Sequence, residues 1–210
     1  MNDAQSQACL KEERTPIVSV KDLKVDFHIR QSFFKEYIAR QKKIVHAVNG
    51  ISFDVGKGEI LSLVGESGSG KTTTGRAILQ LVNKTDGQLL FDGDEILADD
   101  KAYMRAFRKR AQMIFQDPYQ SLNPRFSVFE IVTEPLTLSD SKVSLGEKED
   151  RAIQALEFAG LRPAADYLYR YPHELSGGQR QRVSIATSFV MSPDFIVADE
   201  PVSMLDASVR

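Results

Sequence analysis

A glycine-rich segment in the first half of the chain carries the clearest chemistry. Residues 65–72 fit the pattern G-x-x-x-x-G-K-[ST], and they lie between a short apolar run and a stretch with helical periodicity, the setting that this motif needs. Glycines let backbone N–H groups turn around an anion, the lysine reaches the terminal phosphates, and the threonine offers a hydroxyl to Mg²⁺. A chance match is expected in roughly one chain of this length in a hundred. The predicted phosphate-binding residues are Gly65, Glu66, Ser67, Gly68, Ser69, Gly70, Lys71, Thr72 and Thr73.

Two carboxylates, Asp199 and Glu200, follow the apolar run 195–198. At the end of a buried strand, one carboxylate can hold the Mg²⁺ shell while the other orients a water molecule for attack on the γ-phosphate. Taken alone, the dipeptide fits a pair of acids that cap a strand end equally well. The glycine-rich loop favours the catalytic interpretation, with Thr72 and Asp199 as metal ligands and Glu200 as the catalytic carboxylate.

A third segment also has the residue types of an anion-binding site. Leu175-Ser176-Gly177-Gly178-Gln179 precedes a predicted helix over 180–191. A serine, glycine backbone and a helix N-terminus in this order are suited to phosphate binding.

These three motifs, in this order, closely resemble those of the ATP-binding subunits of ABC transporters. The runs 116–125 (QDPYQSLNPR) and 196–206 (IVADEPVSMLD) are similar to the dipeptide and oligopeptide import branch. The resemblance covers nearly the whole chain from about Pro16 onward. It implies ATP and Mg²⁺ as cofactors, and ATP hydrolysis that drives peptide import.

The resemblance also implies roles for individual residues. Gln116 matches the glutamine that meets the metal and the γ-phosphate, and we count it with Lys71 and Glu200 as catalytic. In the family, the signature residues and an aspartate that Asp206 matches face the site of the partner subunit. The signature residues here are Ser176, Gly177, Gly178 and Gln179.

The implied partners are a second ATP-binding subunit, transmembrane permease subunits and, indirectly, an extracytoplasmic peptide-binding protein. The implied location is the cytoplasmic face of the membrane, as a peripheral subunit.

Several features depart from the family pattern. The sequence stops at Arg210, before the strand that leads to the family's switch histidine, so we expect a C-terminally truncated cassette with little turnover by itself. Thr187 stands where the family usually has arginine. The three histidines are expected to be satisfied or solvated polar side chains; they are His28, His46 and His173. The aromatic residue expected on adenine has four candidates, between which the sequence does not choose: Phe27, Phe33, Phe34 and Tyr37.

Two alternatives stay open at this point. One is a soluble ABC ATPase that acts on DNA or ribosomes, against which the single cassette and the 116–125 run argue. The other is a nucleotide-binding fragment without turnover.

Composition excludes several other classes of protein. With 210 residues and 42% hydrophobic content, the chain can form a real core, and its net charge of −2 provides no global field for nucleic acid. The basic run Arg105, Arg108, Lys109 and Arg110 is predicted to be a solvated helix face. Five acidic residues are expected to balance this run: Asp92, Asp94, Glu95, Asp99 and Asp100. The single Cys9 cannot form an internal disulfide, and the longest apolar run is too short to cross a bilayer.

The elements that must position these residues indicate an α/β fold: a RecA-like P-loop NTPase core with an antiparallel β subdomain and an inserted helical subdomain. Alternation predicts strands over 17–27 and 51–55, and a short apolar run predicts a strand covered on both faces over 60–64. Helices are expected over 72–83 and 100–110, and strands over 88–91 and 113–115. The run 195–198 is expected to be a buried strand, and Ser144 with Glu147 a capping box.

The expected organisation has four parts. Residues 1–16 form a polar N-terminal arm, and residues 17–116 form the antiparallel β subdomain with the first part of the ATP-binding core. Residues 117–191 form the helical subdomain, and residues 192–210 hold the second acidic strand and the segment with Asp206.

Overall fold

The chain divides into two units, the first ending at Ala98 and the second beginning at Asp99. The computed structural model describes residues 16–29, 43–116, 122–139 and 142–200. The four-part organisation expected from the sequence stays a prediction.

The first unit is built on an antiparallel sheet of four strands, β1 (Pro16–Ile29), β2 (Lys43–Gly56), β3 (Asp86–Phe91) and β4 (Asp94–Glu95). The strand order is β2-β1-β3-β4. Strand β1 has a neighbour on each side, and its apolar side chains form the centre of the unit. The buried members are Ile17, Val18, Val20, Leu23 and Val25. The predicted antiparallel opening is therefore confirmed.

Helix α1 (Lys71–Ile78) follows the glycine-rich loop. It is shorter than the predicted helix, which extended to residue 83. Gln80 adopts a left-handed φ of 55°. Its N–H donates to the Ala77 carbonyl at 3.0 Å, and the Leu81 N–H donates to the Arg76 carbonyl at 2.8 Å. This pair of bonds is a Schellman motif, which satisfies the last carbonyls and stops the helix.

The prediction of a strand covered on both faces over 60–64 is wrong for the structure described. Ile60 is 92% exposed and Val64 is 94% exposed. A strand exists only where a neighbouring strand completes its hydrogen-bond ladder. Within the described part of the chain, no strand pairs with these residues.

The second unit contains four helices and a parallel pair of strands among its described residues. The helices are α2 (Lys101–Arg110), α3 (Val128–Ser139), α4 (Leu145–Phe158) and α5 (Gly177–Phe189). The strands are β5 (Ala111–Ile114) and β6 (Phe195–Ala198). Short 3₁₀ turns lie at Ala164–Asp166 and Pro172–Glu174.

A single apolar cluster joins α3, α4 and α5. Its fully enclosed members include Val128, Val132, Ala152, Leu156, Val183 and Ala186. Strand β6 was expected to be buried, but Phe195, Ile196 and Val197 are only half-buried and Ala198 is exposed. The reason is that, among the described residues, β6 has a strand neighbour on one side only, which is β5.

Helix α2 occupies the span predicted for it, and Met104 and Phe107 are buried. The charge balance predicted for its basic run stays a prediction. Asp92 pairs with Lys57 at 2.8 Å, and the Asp100 side chain caps α2 itself. Arg110 binds Asp194, with 2.5 Å between Nε and Oδ2.

The capping box predicted at the start of α4 is half formed. Ser144 Oγ accepts from the Glu147 N–H at 3.2 Å, as an N-cap should. The reciprocal bond is replaced, since Glu147 Oε1 accepts from Arg151 Nη2 at 2.7 Å.

Nowhere in the described ranges is a helix long and apolar enough to cross a membrane.

Candidate active site

The glycine-rich loop turns into α1 through backbone that only glycine adopts easily. Gly68 has φ +82° and Gly70 has φ +93°, both in the left-handed region. A Cβ on Gly70 would lie 2.3 Å from the carbonyl oxygen of Ala47 on β2. The loop therefore passes the edge of the sheet at a distance that leaves no room for a side chain. The Thr74 N–H and hydroxyl both reach the Gly70 carbonyl, at 2.8 and 3.0 Å, and fix the first turn of α1.

Lys71 places its ammonium group inside the curve of this loop. Its Nζ donates to the carbonyl of Gly65 at 2.8 Å and to that of Glu66 at 2.7 Å. Thr72 and Thr73 follow in the first turn of α1, where the helix dipole adds positive charge. An ammonium group, a helix N-terminus and a loop that a Cβ would obstruct fit the phosphates of a nucleotide.

The parallel strands β5 and β6 bring two predicted site residues together. Ile114 and Ala198 are register partners, and the Asp199 N–H donates to the Ile114 carbonyl at 3.0 Å. Just beyond these strand ends, Gln116 Nε2 donates to Glu200 Oε2 at 2.5 Å. Glu200 has a left-handed φ of 47°, an uncommon conformation for a residue other than glycine and one that is often found at functional sites.

Buried and charged contacts hold this strand pair. Ser188 on α5 donates from its hydroxyl to the Met113 carbonyl on β5 at 3.0 Å, and both the hydroxyl and its surroundings are buried. The Asp194 N–H donates to the Arg110 carbonyl at 2.8 Å, next to the ion pair of their side chains. These contacts therefore fix the carboxyl ends of β5 and β6, and Gln116 and Glu200 each lie two residues beyond a strand end.

The predicted signature residues form a complete capping box at the start of α5. Ser176 Oγ accepts from the Gln179 N–H at 3.2 Å, and Gln179 Oε1 accepts from the Ser176 N–H at 2.9 Å. Both residues are predicted to bind nucleotide, and the capping box gives them a structural role as well. The spacing S-x-x-Q before a helix was the signal that could have revealed it.

A second capping box was also missed. The Glu130 carboxylate accepts from the Ser127 N–H at 2.7 Å and from the Ser127 hydroxyl at 2.8 Å. These bonds favour the charged form and lower the pKa of Glu130 below its usual value, the backbone bond first and the hydroxyl second.

The remaining candidates are less informative. Asp206, Phe33, Phe34 and Tyr37 lie outside the described residues. Phe27 lies opposite Val45 in the β1–β2 ladder and is 42% exposed.

Two of the histidines and Thr187 have identified contacts. His46 Nδ1 lies 2.8 Å from Asp26 Oδ1, and His173 stacks on Tyr171 with ring centroids 5.7 Å apart. The Thr187 hydroxyl donates to the Val183 carbonyl at 2.9 Å, within α5.

Among the described residues, no group of three or more His, Cys, Asp or Glu side chains is arranged to hold a metal ion by itself. Thr72 in the first unit and Asp199 in the second each carry a hard oxygen donor of the kind that Mg²⁺ prefers.

Comparison with known proteins gives a consistent result. The ABC transporter family matches residues 48–203. The oligopeptide transport ATP-binding protein OppF of Bacillus subtilis is 45% identical over 177 residues, which cover 84% of this chain and 57% of that protein. The glutathione import ATP-binding protein GsiA of Salmonella paratyphi A is 46% identical over 201 residues, covering 94% of this chain and 31% of that protein. The chain thus spans just over half the length of the first of these relatives and about a third of the second.

A solved structure confirms the predicted fold class. The dimeric ATP-binding cassette MJ0796, in a post-hydrolysis state with ADP and Pi, superposes with a TM-score of 0.77 at 29% identity. The match covers 91% of this chain and 77% of that one. On its motifs, its fold and these relatives, the chain belongs to the ABC transporter family of ATP-binding domains.

Proposed function

We propose that this chain binds and hydrolyses ATP as the energising subunit of an ABC importer for peptides. The observation that carries the proposal is the glycine-rich loop, in which Lys71 lies against the Gly65 and Glu66 carbonyls at the start of α1. The names of OppF and GsiA support a peptide or peptide-like cargo, since one refers to oligopeptides and the other to glutathione.

Each predicted site residue has a task in this proposal. The N–H groups of the loop and the Lys71 ammonium bind the phosphates of ATP. Thr72, Asp199 and Gln116 would hold Mg²⁺, which supplies positive charge to the phosphate oxygens. Glu200 accepts a proton from the attacking water.

The partners follow from the same proposal. The nucleotide of a second ATP-binding subunit is assigned to contacts with Ser176, Gly177, Gly178, Gln179 and Asp206. Transmembrane permease subunits anchor the pair at the cytoplasmic face of the membrane, and an extracytoplasmic peptide-binding protein delivers the cargo to them. The dimeric state of MJ0796 supports the pairing of two cassettes.

Equilibrium titration with a fluorescent ATP analogue tests nucleotide binding. Lys71→Ala removes a charged hydrogen-bond donor to phosphate and is expected to weaken binding by roughly ten- to a hundred-fold. Arg76→Ala is the matched control, because it removes one positive charge from an exposed position of the same helix. If Lys71→Ala binds as tightly as Arg76→Ala, the loop does not hold phosphate in the proposed way.

Light scattering with and without ATP tests the second subunit. Ser176→Arg places bulk and charge where the partner's phosphate is proposed to lie, so ATP-driven dimerisation should be lost while the chain's own ATP binding persists. Ser144→Arg is the control, since this serine also caps a helix and the substitution also removes a cap. Loss of dimerisation in both variants, or in neither, would contradict the shared site.

A further inference from the structure

Two residues with separate proposed roles in catalysis are bonded to each other. Gln116 Nε2 and Glu200 Oε2 are 2.5 Å apart, although 84 residues separate them in sequence. An ionised carboxylate only accepts hydrogen bonds, so the amide nitrogen of Gln116 must be the group that faces it. Hydrogen bonds to a charged acceptor are about twice as strong as neutral ones.

We propose that this bond is a latch that holds Glu200 in a resting state until nucleotide binds. A general base must present a carboxylate oxygen to the attacking water, and the bond from Gln116 Nε2 to Oε2 fixes the direction in which the Glu200 carboxylate points. This inference rests on the proposed function, because it regulates the carboxylate that the proposal makes catalytic. Gln116 is then a positioning residue for Glu200 before it is a ligand for anything else.

The surrounding structure suits a contact that opens without unfolding. The backbones are fixed, since β5 and β6 are paired in register and the Asp199 N–H is bonded to the Ile114 carbonyl. Both Gln116 and Glu200 are exposed, so their side chains can turn away from each other into solvent. Release therefore requires rotation of two side chains and no change in the strand pair.

A double-mutant cycle in the nucleotide-free protein tests the contact. The free energy of unfolding in urea is measured for the unsubstituted chain, Gln116→Ala, Glu200→Ala and the double variant. Each substitution changes the unfolding equilibrium constant by some factor. If the two side chains are in direct contact, the factor for the double variant should differ by about 2- to 10-fold from the product of the two single factors. The control pair is Gln112→Ala with Glu200→Ala, because the Gln112 amide donates to the Arg108 carbonyl. Coupling for the first pair and none for the control supports the latch; no coupling for the first pair overturns it.

The same cycle with saturating Mg²⁺ and AMPPNP, a non-hydrolysable ATP analogue, tests release. If nucleotide opens the latch, the ratio between the factor for the double variant and the product of the single factors should fall close to one. Calorimetry should show the analogue bound under the same conditions. Coupling that persists with the analogue bound overturns the release step. If calorimetry detects no binding, the proposed function fails and the release step with it, while coupling in the nucleotide-free cycle still supports the Gln116–Glu200 contact.

Discussion

Substitution of Gly70 by alanine is the sharpest test of how the loop is built. An L-residue in the left-handed region costs about 1–2 kcal/mol, and Gly70 has φ +93°. Its Cβ would lie 2.3 Å from the Ala47 carbonyl oxygen, although contacts under 3.0 Å are essentially never made by real Cβ atoms. Because the neighbour is backbone, the loop or strand β2 must shift. Such overpacking costs typically about 1–3 kcal/mol more.

Gly68→Ala provides a matched control within the same loop. Gly68 also has a left-handed φ, of +82°, but a Cβ there meets no atom within 4 Å. We expect Gly68→Ala to lose about 1–2 kcal/mol of the free energy of unfolding, from backbone strain alone. Gly70→Ala should lose about 2–5 kcal/mol.

Urea denaturation followed by circular dichroism measures both variants. The difference between them isolates the close approach of the loop to β2. Equal losses for the two variants would refute that approach and leave backbone strain as the reason for glycine at position 70.

Three further predictions concern other parts of the chain. Ser144→Ala should lower the free energy of unfolding by about 1 kcal/mol and Glu147→Ala by clearly less, because only the serine caps α4; urea titration of both variants decides this. Glu130 has a lowered pKa in the fold, so its contribution to stability is present above the ordinary glutamate pKa of 4.5 and is lost as pH falls through the folded value. Unfolding midpoints should therefore fall more steeply below this pH for the unsubstituted chain than for Glu130→Gln, and equal slopes would contradict the Ser127 contact. Hydrogen exchange monitored by NMR should be fast for amides 60–64 and slow in the centre of β1; protection of 60–64 would show that this segment has a strand partner.

Local patterns predicted the elements whose stability is local. The alternation in β1 and the apolar spacing in α2 led to nearly the right spans, because side-chain period and burial go together in such elements. The glycine-rich loop was equally predictable, since the motif itself encodes the backbone conformations of Gly68 and Gly70. The end of α1 could not be predicted, because Gln80 takes a left-handed conformation that glycine usually supplies.

Features that depend on distant partners were beyond local patterns. The apolar run 60–64 has the composition of a buried strand, but pairing decides whether a strand forms. The contact between Gln116 and Glu200 arises from the register of two parallel strands, which no spacing in the sequence reveals. Side-chain competition was equally hidden, as when Glu147 binds Arg151 in place of the Ser144 backbone.

Single-turnover hydrolysis by Glu200→Gln tests the central claim most directly. Because the 210 residues are expected to show little turnover by themselves and the match covers 57% of OppF, both proteins are assayed as fusions that carry the remainder of OppF. Protein is kept in excess over radiolabelled Mg-ATP. The amide of the variant keeps the shape of the side chain but cannot accept a proton from water. Binding affinity should stay within a few-fold of that of the unsubstituted chain, while the rate of phosphate formation should fall by about 10²- to 10⁴-fold. Phosphate formation by Glu200→Gln at the rate of the unsubstituted chain would contradict the assignment of Glu200 as the catalytic carboxylate.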